Sequence, residues 1–129
     1  MATSKLGSIL LSSTKPEQLR DWYAEAFSAK VEHTPGEPGY DVLDFDGFWV
    51  MIDTRDDVGE TNPEPGRVIL NFEVDDARAA AERINGLGAS WLADLENRDG
   101  SWFGTAIDPD GNYVQIIELS EEARAAMAG

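Results

Sequence analysis

The chain has 129 residues, a length that fits a single domain large enough to bury a hydrophobic core. Its 25 acidic and 10 basic residues give a formal net charge of −15, which argues against nucleic acid as a partner because neutralising phosphates requires clustered Lys and Arg. The absence of cysteine excludes disulfides, thiolate metal sites and a cysteine nucleophile.

The first half of the chain predicts one strand, one helix and three further strands. Pro16 is suited to the first turn of the helix, and apolar residues follow it at helical spacing. Asp46-Gly47 is a dipeptide typical of a hairpin turn between the last two strands. The predicted elements are the strand Gly7–Ser13, the helix at about Lys15–Ser28, the strand Lys30–His33, a loop at Gly36, Pro38 and Gly39, and the strands Tyr40–Phe45 and Phe48–Thr54.

The second half repeats the same order of signals. Asp75 or Asp76 is a suitable N-cap for the helix, and Gly88 is a suitable residue to end it. Asp110-Gly111 again joins the last two strands. The predicted elements are the strand Val68–Val74, the helix Ala77–Leu87, a short strand at Trp91 and Leu92, the strands Ser101–Ile107 and Asn112–Leu119, and a short tail helix Glu121–Met127 capped by Ser120.

The two halves also match residue by residue. Ser28-Ala29-Lys30-Val31 aligns with Gly88-Ala89-Ser90-Trp91, and Asp44–Ile52 aligns with Asp108–Ile116. This indicates an α+β domain built from two βαβββ modules, at about residues 5–56 and 67–120, with a linker at 57–66 and a tail at 121–129. The alternative is an unrelated α+β domain that contains two Asp-Gly hairpins.

Three segments resemble the vicinal oxygen chelate superfamily, which includes glyoxalase I, bleomycin-resistance proteins, extradiol dioxygenases and methylmalonyl-CoA epimerase. Phe103–Glu118 (FGTAIDPDGNYVQIIE) resembles its last hairpin, Lys15–Val31 (KPEQLRDWYAEAFSAKV) its first helix, and Leu70–Asp76 (LNFEVDD) the strand that joins its modules. The resemblance implies that the two modules form a cup-shaped mixed sheet with the helices outside. It also implies that the protein is a homodimer.

Side-chain alternation predicts which strand residues line the cup. In Val68–Val74 the apolar set Leu70, Phe72 and Val74 should meet the helix, so the intervening residues should face the cup. By the repeat, the cup-facing residues are Ser8, Leu10 and Ser12; Trp49, Met51 and Asp53; Ile69, Asn71 and Glu73; and Tyr113, Gln115 and Ile117.

The resemblance places the superfamily's metal ligands, mostly His, Glu or Gln, at four cup-facing positions. Those positions fall on Ser8, Met51, Ile69 and Gln115, of which only Gln115 could coordinate a metal, through its amide oxygen. A divalent ion needs three or four nitrogen or oxygen donors at one point. A small shift in the alignment of Phe48–Thr54 would add Asp53 without completing the set. We therefore expect no metal and no cofactor.

The remaining polar candidates have simpler explanations. His33, the sole histidine, is expected to be an exposed polar residue rather than a ligand or a general base. Glu118 should lie on the side opposite Gln115. Asp108 and Asp110 are expected to form a turn by accepting backbone N–H groups.

Aromatic and polar side chains on the cup-facing set suit a planar or hydrophobic small molecule. The predicted function is a metal-free protein that sequesters such a molecule, for example an antibiotic or another aromatic or cationic ligand. The negative charge would attract a cation, although solubility alone also explains it. The candidate ligand-binding residues are Ser8, Trp49, Met51, Asp53, Asn71, Trp102, Tyr113 and Gln115, with the direction of Trp102 left open by the sequence.

Two other functions remain open. One is an enzyme of the superfamily, a lyase, isomerase or dioxygenase with a non-standard site, in which Asp53 or Glu73 would be the acid–base candidate; no catalytic residue is assigned. The other is a regulatory domain that acts through a protein partner and exposes an apolar patch. Met1–Leu6 lacks the apolar run of a secretory signal, and no stretch nears the roughly 20 apolar residues of a membrane span, so a cytoplasmic protein without a membrane partner is expected.

Overall fold

The structure is a computed structural model that describes residues 4–35 and 40–128. The predicted loop at Gly36, Pro38 and Gly39 lies outside those residues. The chain divides into two compact units, residues 1–60 and 61–129, which we call module one and module two.

Module one is a four-stranded mixed sheet with one helix. Its elements are β1 (Ser8–Ser13), α1 (Pro16–Phe27), β2 (Lys30–His33), β3 (Asp41–Phe45) and β4 (Phe48–Thr54). The strands lie in the order β1-β4-β3-β2, with β1 parallel to β4 and the other neighbours antiparallel. The edge strand β2 is exposed at all four of its residues.

The core of module one forms between α1 and one face of this sheet. Pro16 starts the helix, where its missing N–H costs nothing, and Ser28 ends it in the left-handed conformation. Leu19 and Tyr23 are fully buried on the helix, and Leu43 is fully buried on β3. Burying one such side chain contributes about 1.5–3 kcal/mol, so this interface fixes which face of the sheet the helix covers.

Module two repeats the arrangement and adds a tail helix. Its elements are β5 (Leu70–Glu73), α2 (Ala77–Gly86), β6 (Trp91–Arg98), β7 (Ser101–Ile107), β8 (Tyr113–Glu118) and α3 (Glu121–Ala128). The strand order is β5-β8-β7-β6, again with one parallel pair, β5 and β8. The Asp76 carboxylate caps α2 by accepting the N–H of Ala79, and the Ser120 hydroxyl caps α3 by accepting the N–H of Ala123.

The duplication extends to the register of the parallel strand pair in each module. Leu10 pairs with Met51 in module one, and the aligned residues Asn71 and Gln115 pair in module two. The predicted α+β architecture of two βαβββ modules is confirmed.

Two predicted strands differ by three or more residues in length from the observed ones. The strand predicted at Trp91 and Leu92 is present but longer than predicted, because β6 continues to Arg98 and pairs with β7 through two irregularities in register. The predicted strand Val68–Val74 is shorter, at Leu70–Glu73. Within the described residues, none of the helices is long and apolar enough to cross a membrane.

Candidate functional site

Each sheet has one face covered by its helix and a second face that we call the open face. In module one, Ser8 pairs with Trp49 and Ser12 pairs with Asp53, so these residues share one face. Val50 and Ile52 alternate with them and are buried on the helix side. The directions predicted for the side chains of β1 and β4 agree with this pairing.

A pocket of about 480 Å³ lies in module one. It spans all four strands, because β1, β4, β3 and β2 are successive neighbours and each contributes to the lining. We call it the cross-strand pocket. Its lining residues are Ser8, Glu32, His33, Thr34, Pro35, Val42, Trp49 and Met51.

The cross-strand pocket has an apolar middle and polar ends. Trp49 and Met51 on β4 and Val42 on β3 form the middle, and Trp49 keeps 49% of its surface exposed. Ser8 supplies a hydroxyl at the β1 end, and Glu32 supplies a carboxylate at the β2 end. This arrangement suits an elongated organic molecule whose rings lie on Trp49 and whose ends meet polar groups.

The sequence identified only part of this lining. Ser8, Trp49 and Met51 were predicted site residues, whereas Glu32 and Val42 were not. Counting outward from the Asp46-Gly47 turn would have found Val42, which pairs with Met51. Glu32 pairs with Val42 in a register that this turn does not determine.

Asp53 lies on the open face of module one, two residues beyond Met51, and is not among the residues that line the pocket. Its Oδ1 accepts a hydrogen bond of 2.8 Å from the Ser12 hydroxyl. That bond holds the carboxylate against β1, so Asp53 is a neighbour of the pocket rather than part of its wall.

His33 is exposed, as expected, but it also contributes to the pocket lining. Its Nδ1 lies 3.0 Å from Oδ1 of Asp41, and the other oxygen of Asp41 accepts from Arg20 at 3.3 Å. A hydrogen bond to Asp21 and the charge of Asp41 raise the pKa of Arg20, against the opposing effect of its partial burial. The imidazole is therefore anchored to a charged pair on the helix side.

The open face of module two carries three of the predicted site residues. Asn71 pairs with Gln115, and Gln115 pairs with Thr105, so their side chains form a polar row across three strands. Tyr113 lies at the start of β8 on the same face as Gln115. Glu73, the other acid–base candidate, lies 3.5 Å from the guanidinium of Arg124 on α3.

Trp102 lies on the helix side of module two, which corrects its inclusion among the ligand-binding residues. It pairs with Glu118, whose carboxylate accepts the N–H of Ala77 at the start of α2. The guanidinium of Arg78 on α2 lies 5.1 Å from the Trp102 ring centroid. The contact with α2 fixes the direction that the sequence left open, and it confirms that Glu118 lies opposite Gln115.

The carboxylate of Asp108 forms the predicted turn. Its Oδ1 accepts from the N–H groups of Asp110 and Asn112, each at 2.9 Å, and its Oδ2 accepts from the Asn112 amide at the same distance. Asp108 is buried, so these bonds compensate for the removal of its charge from water.

The donors available do not fit a divalent metal. In the part of the chain that the structure describes, no three His, Cys, Asp or Glu side chains gather where they could hold one. The two positions on module one that the resemblance assigns to ligands are a hydroxyl, Ser8, and a thioether, Met51, and both line the pocket. Hard and borderline divalent ions prefer carboxylate oxygen and imidazole nitrogen.

Comparison with known proteins gives a family and a fold. A family model described as a glyoxalase-like domain matches residues 8–117. No curated protein matches the chain in sequence.

Several solved structures resemble the chain in fold, although their sequence identity is low. An oxidase, ChaP-H2, is 18% identical with a TM-score of 0.74, covering 92% of this chain and 95% of its own. The fosfomycin resistance protein FosX from Mesorhizobium loti is 18% identical with a TM-score of 0.72, covering 97% and 99%. A glyoxalase/bleomycin resistance protein/dioxygenase family enzyme from Burkholderia phytofirmans PsJN is 13% identical with a TM-score of 0.71, covering 90% and 99%.

Proposed function

The chain belongs to the glyoxalase-like domain family, and from that premise we propose that it binds a small organic molecule in the cross-strand pocket without using a metal ion. The proposed ligand is aromatic or otherwise apolar over most of its length, and sequestration of an antibiotic is one such role. One structural neighbour is named a fosfomycin resistance protein, and another belongs to a family named in part for bleomycin resistance, which supports that role.

The observation that carries the proposal is the exposed indole of Trp49 in the pocket. Leaving a tryptophan half in water forfeits part of its hydrophobic stabilisation, which a stacked ligand would recover. Met51 and Val42 extend the apolar surface beside it. The volume of about 480 Å³ is in the range typical of small-molecule sites.

The metal-free part of the proposal rests on the chemistry of the aligned positions. The resemblance places the superfamily's metal-ligand positions at Ser8, Met51, Ile69 and Gln115, which provide a hydroxyl, a thioether, a hydrocarbon and one amide. The ligand-binding roles of Asn71, Tyr113 and Gln115 on module two stay predictions, as do the homodimer and the cytoplasmic location.

Fluorescence titration with a panel of aromatic compounds tests the binding. Trp22 is buried on α1, the Trp91 indole donates to Asn85 on α2, and Trp102 lies by Arg78 of the same helix, so quenching by a pocket ligand should come from Trp49. We expect saturable quenching that Trp49→Phe removes while calorimetric binding persists. Trp49→Ala should weaken calorimetric binding at least about tenfold, in line with the energy of an aromatic contact.

Leu92→Ala is the matched control, since Leu92 is an exposed apolar residue on β6 of the other module. It should leave both signals unchanged. Lack of saturable binding by any compound in the panel, or equal losses in Trp49→Ala and Leu92→Ala, would refute the proposal.

An enzyme of the family is the second candidate, and the oxidase among the structural neighbours favours it. Elemental analysis of the dialysed protein separates the two. A stoichiometric transition metal would support the enzyme and contradict the ligand assignment made above.

A further inference from the structure

We propose that Glu32 makes the cross-strand pocket selective for ligands with a cationic end, and that Lys30 competes with the ligand for the same carboxylate. This proposal rests on the proposed function, small-molecule binding in the pocket, and adds a specificity for charge. The ligand it implies has an aromatic part on Trp49 and an ammonium or similar cation at its far end.

Glu32 is positioned to contact the cationic end of such a ligand. It is the sole acid among the described residues that line the pocket. It pairs with Val42, and Val42 pairs with Met51, so all three side chains share the open face. Two strand spacings separate β2 from β4, roughly 10 Å, which is about the length of two or three fused rings.

The path between Trp49 and Glu32 is apolar. Met51 and Val42 lie along it and are partly buried. A ligand lying over them would exclude water from one side of the Glu32 carboxylate, and its attraction for a cation would rise as the local dielectric falls. An uncharged ligand end at the same place would desolvate Glu32 without compensation. The same contact therefore favours cations and disfavours neutral molecules.

Lys30 is the internal competitor. It lies two residues before Glu32 on β2, on the same face, and its Nζ is 3.4 Å from a Glu32 carboxylate oxygen. Both side chains are exposed, and an exposed pair of this kind is weak. The incoming cation can replace the Lys30 ammonium at little cost.

Asp44 gives the displaced lysine a second partner. It pairs directly with Lys30 across β2 and β3, and it pairs with Trp49 on its other side. Its Oδ1 accepts the N–H of Gly47, and an ammonium could interact with the carboxylate as well. The geometry points to an exchange in which Lys30 moves from Glu32 to Asp44 as the ligand binds.

Two isosteric probes test the charge selectivity. One is a naphthyl ring joined through a propyl chain to a trimethylammonium group, and the other carries a tert-butyl group in place of the ammonium. Calorimetry on the intact chain should show the cationic probe binding about tenfold more tightly, as expected for one partly desolvated charge contact. Glu32→Gln should remove that difference. Lys30→Gln should strengthen binding of the cationic probe about two- to fivefold and leave the neutral probe unchanged.

Glu96→Gln is the matched control for net charge. Glu96 lies on β6, also an edge strand, and is paired with Arg98 two residues later, so its replacement changes the net charge by the same amount. It should leave the selectivity intact. Circular dichroism of each variant tests whether it is folded. Because all four residues of β2 are exposed, we expect the spectra of the Lys30 and Glu32 variants to match that of the unsubstituted chain.

Three results would overturn the inference. Equal affinity of the intact chain for both probes would remove the selectivity while leaving pocket binding, and hence the proposed function, standing. If Glu32→Gln and Glu96→Gln reduce the selectivity for the cationic probe equally, the selectivity comes from long-range charge rather than from the Glu32 carboxylate. If neither probe binds, and if no compound of the wider panel quenches the fluorescence of Trp49, the proposed function is refuted as well.

Discussion

At the scale of single residues, the sequence predicted side-chain directions well where polar and apolar residues alternate strictly. Trp49 and Met51 alternate with the buried Val50 and Ile52, so their face could be assigned from the sequence alone. Trp102 is followed by another aromatic residue, so alternation could not decide its direction. The contact with α2 decided it, and that is a tertiary interaction which the sequence pattern does not contain.

Gly104 shows how one residue on β7 determines what packs above it. A Cβ at this position would lie 3.1 Å from the Cα of Leu95 and 3.2 Å from a ring carbon of Trp91. The absence of a side chain lets Leu95 and Trp91 of β6 lie close to the backbone of β7. We expect Gly104→Ala to destabilise the chain by about 1–3 kcal/mol through this overpacking, measured by urea denaturation.

Gly86→Ala is the control for that prediction. Gly86 is the last residue of α2, and a Cβ there would meet nothing within 4 Å. Alanine has the higher helix propensity, so this variant should be neutral or slightly more stable. If Gly86→Ala and Gly104→Ala lowered the free energy of unfolding by similar amounts, the packing explanation would be contradicted.

At the scale of elements, helices and strands with a clear hydrophobic periodicity were predicted correctly. The main error concerned a strand that forms because it pairs with a neighbour, although its own residues show no such periodicity. The segment Ala93–Arg98 is polar and largely exposed, so its sequence resembles a loop. It becomes part of β6 because β7 offers a partner, and the irregular register between Ala93 and Glu96 accommodates the segment. Single-sequence alternation has no signal for such an irregularity.

The ends of the first helix of each module give a reciprocal test of the duplication. Ser28 has φ +53° and the aligned Gly88 has φ +76°, so both occupy the left-handed region in which a side chain is strained. We expect Ser28→Gly to stabilise the chain by up to about 1 kcal/mol and Gly88→Ser to destabilise it by a similar amount. Thermal and urea unfolding of the two variants measure this.

The essential outcome is that the two substitutions change the free energy of unfolding in opposite directions. Ser28 is exposed, and a Cβ at Gly88 would meet nothing within 4 Å, so neither change removes a core contact. Two changes of the same sign would show that these positions are not equivalent.

At the scale of the whole molecule, the excess of acid is shared by the modules rather than concentrated in one. Residues 1–60 contain 12 acidic and 5 basic residues, and residues 61–129 contain 13 and 5. Composition therefore could predict attraction for cations but not the place where a cation binds. Pairing of β2 with β3 brings Glu32 onto the face that carries Trp49, and that is the place we propose for the cation.

Salt should act on stability and on binding in opposite directions. Self-repulsion of a net charge of −15 destabilises the folded chain, so raising NaCl from about 0.05 to 0.5 M should raise the melting temperature. The same screening should weaken binding of the cationic probe and leave the neutral probe nearly unaffected. Calorimetric scans and titrations at several salt concentrations measure both, and a melting temperature that falls with salt would contradict the prediction.

The exposed edge strand β2 has one more consequence. Its outer backbone groups are a template for another strand, and such edges promote aggregation when they are long and apolar. β2 has four residues, of which Lys30, Glu32 and His33 are polar, so an approaching strand would have to bury charges beside its own backbone. The side chains that we propose to select the ligand thus also oppose intermolecular sheet extension, and a variant with valine at Lys30 and Glu32 would lose solubility together with selectivity.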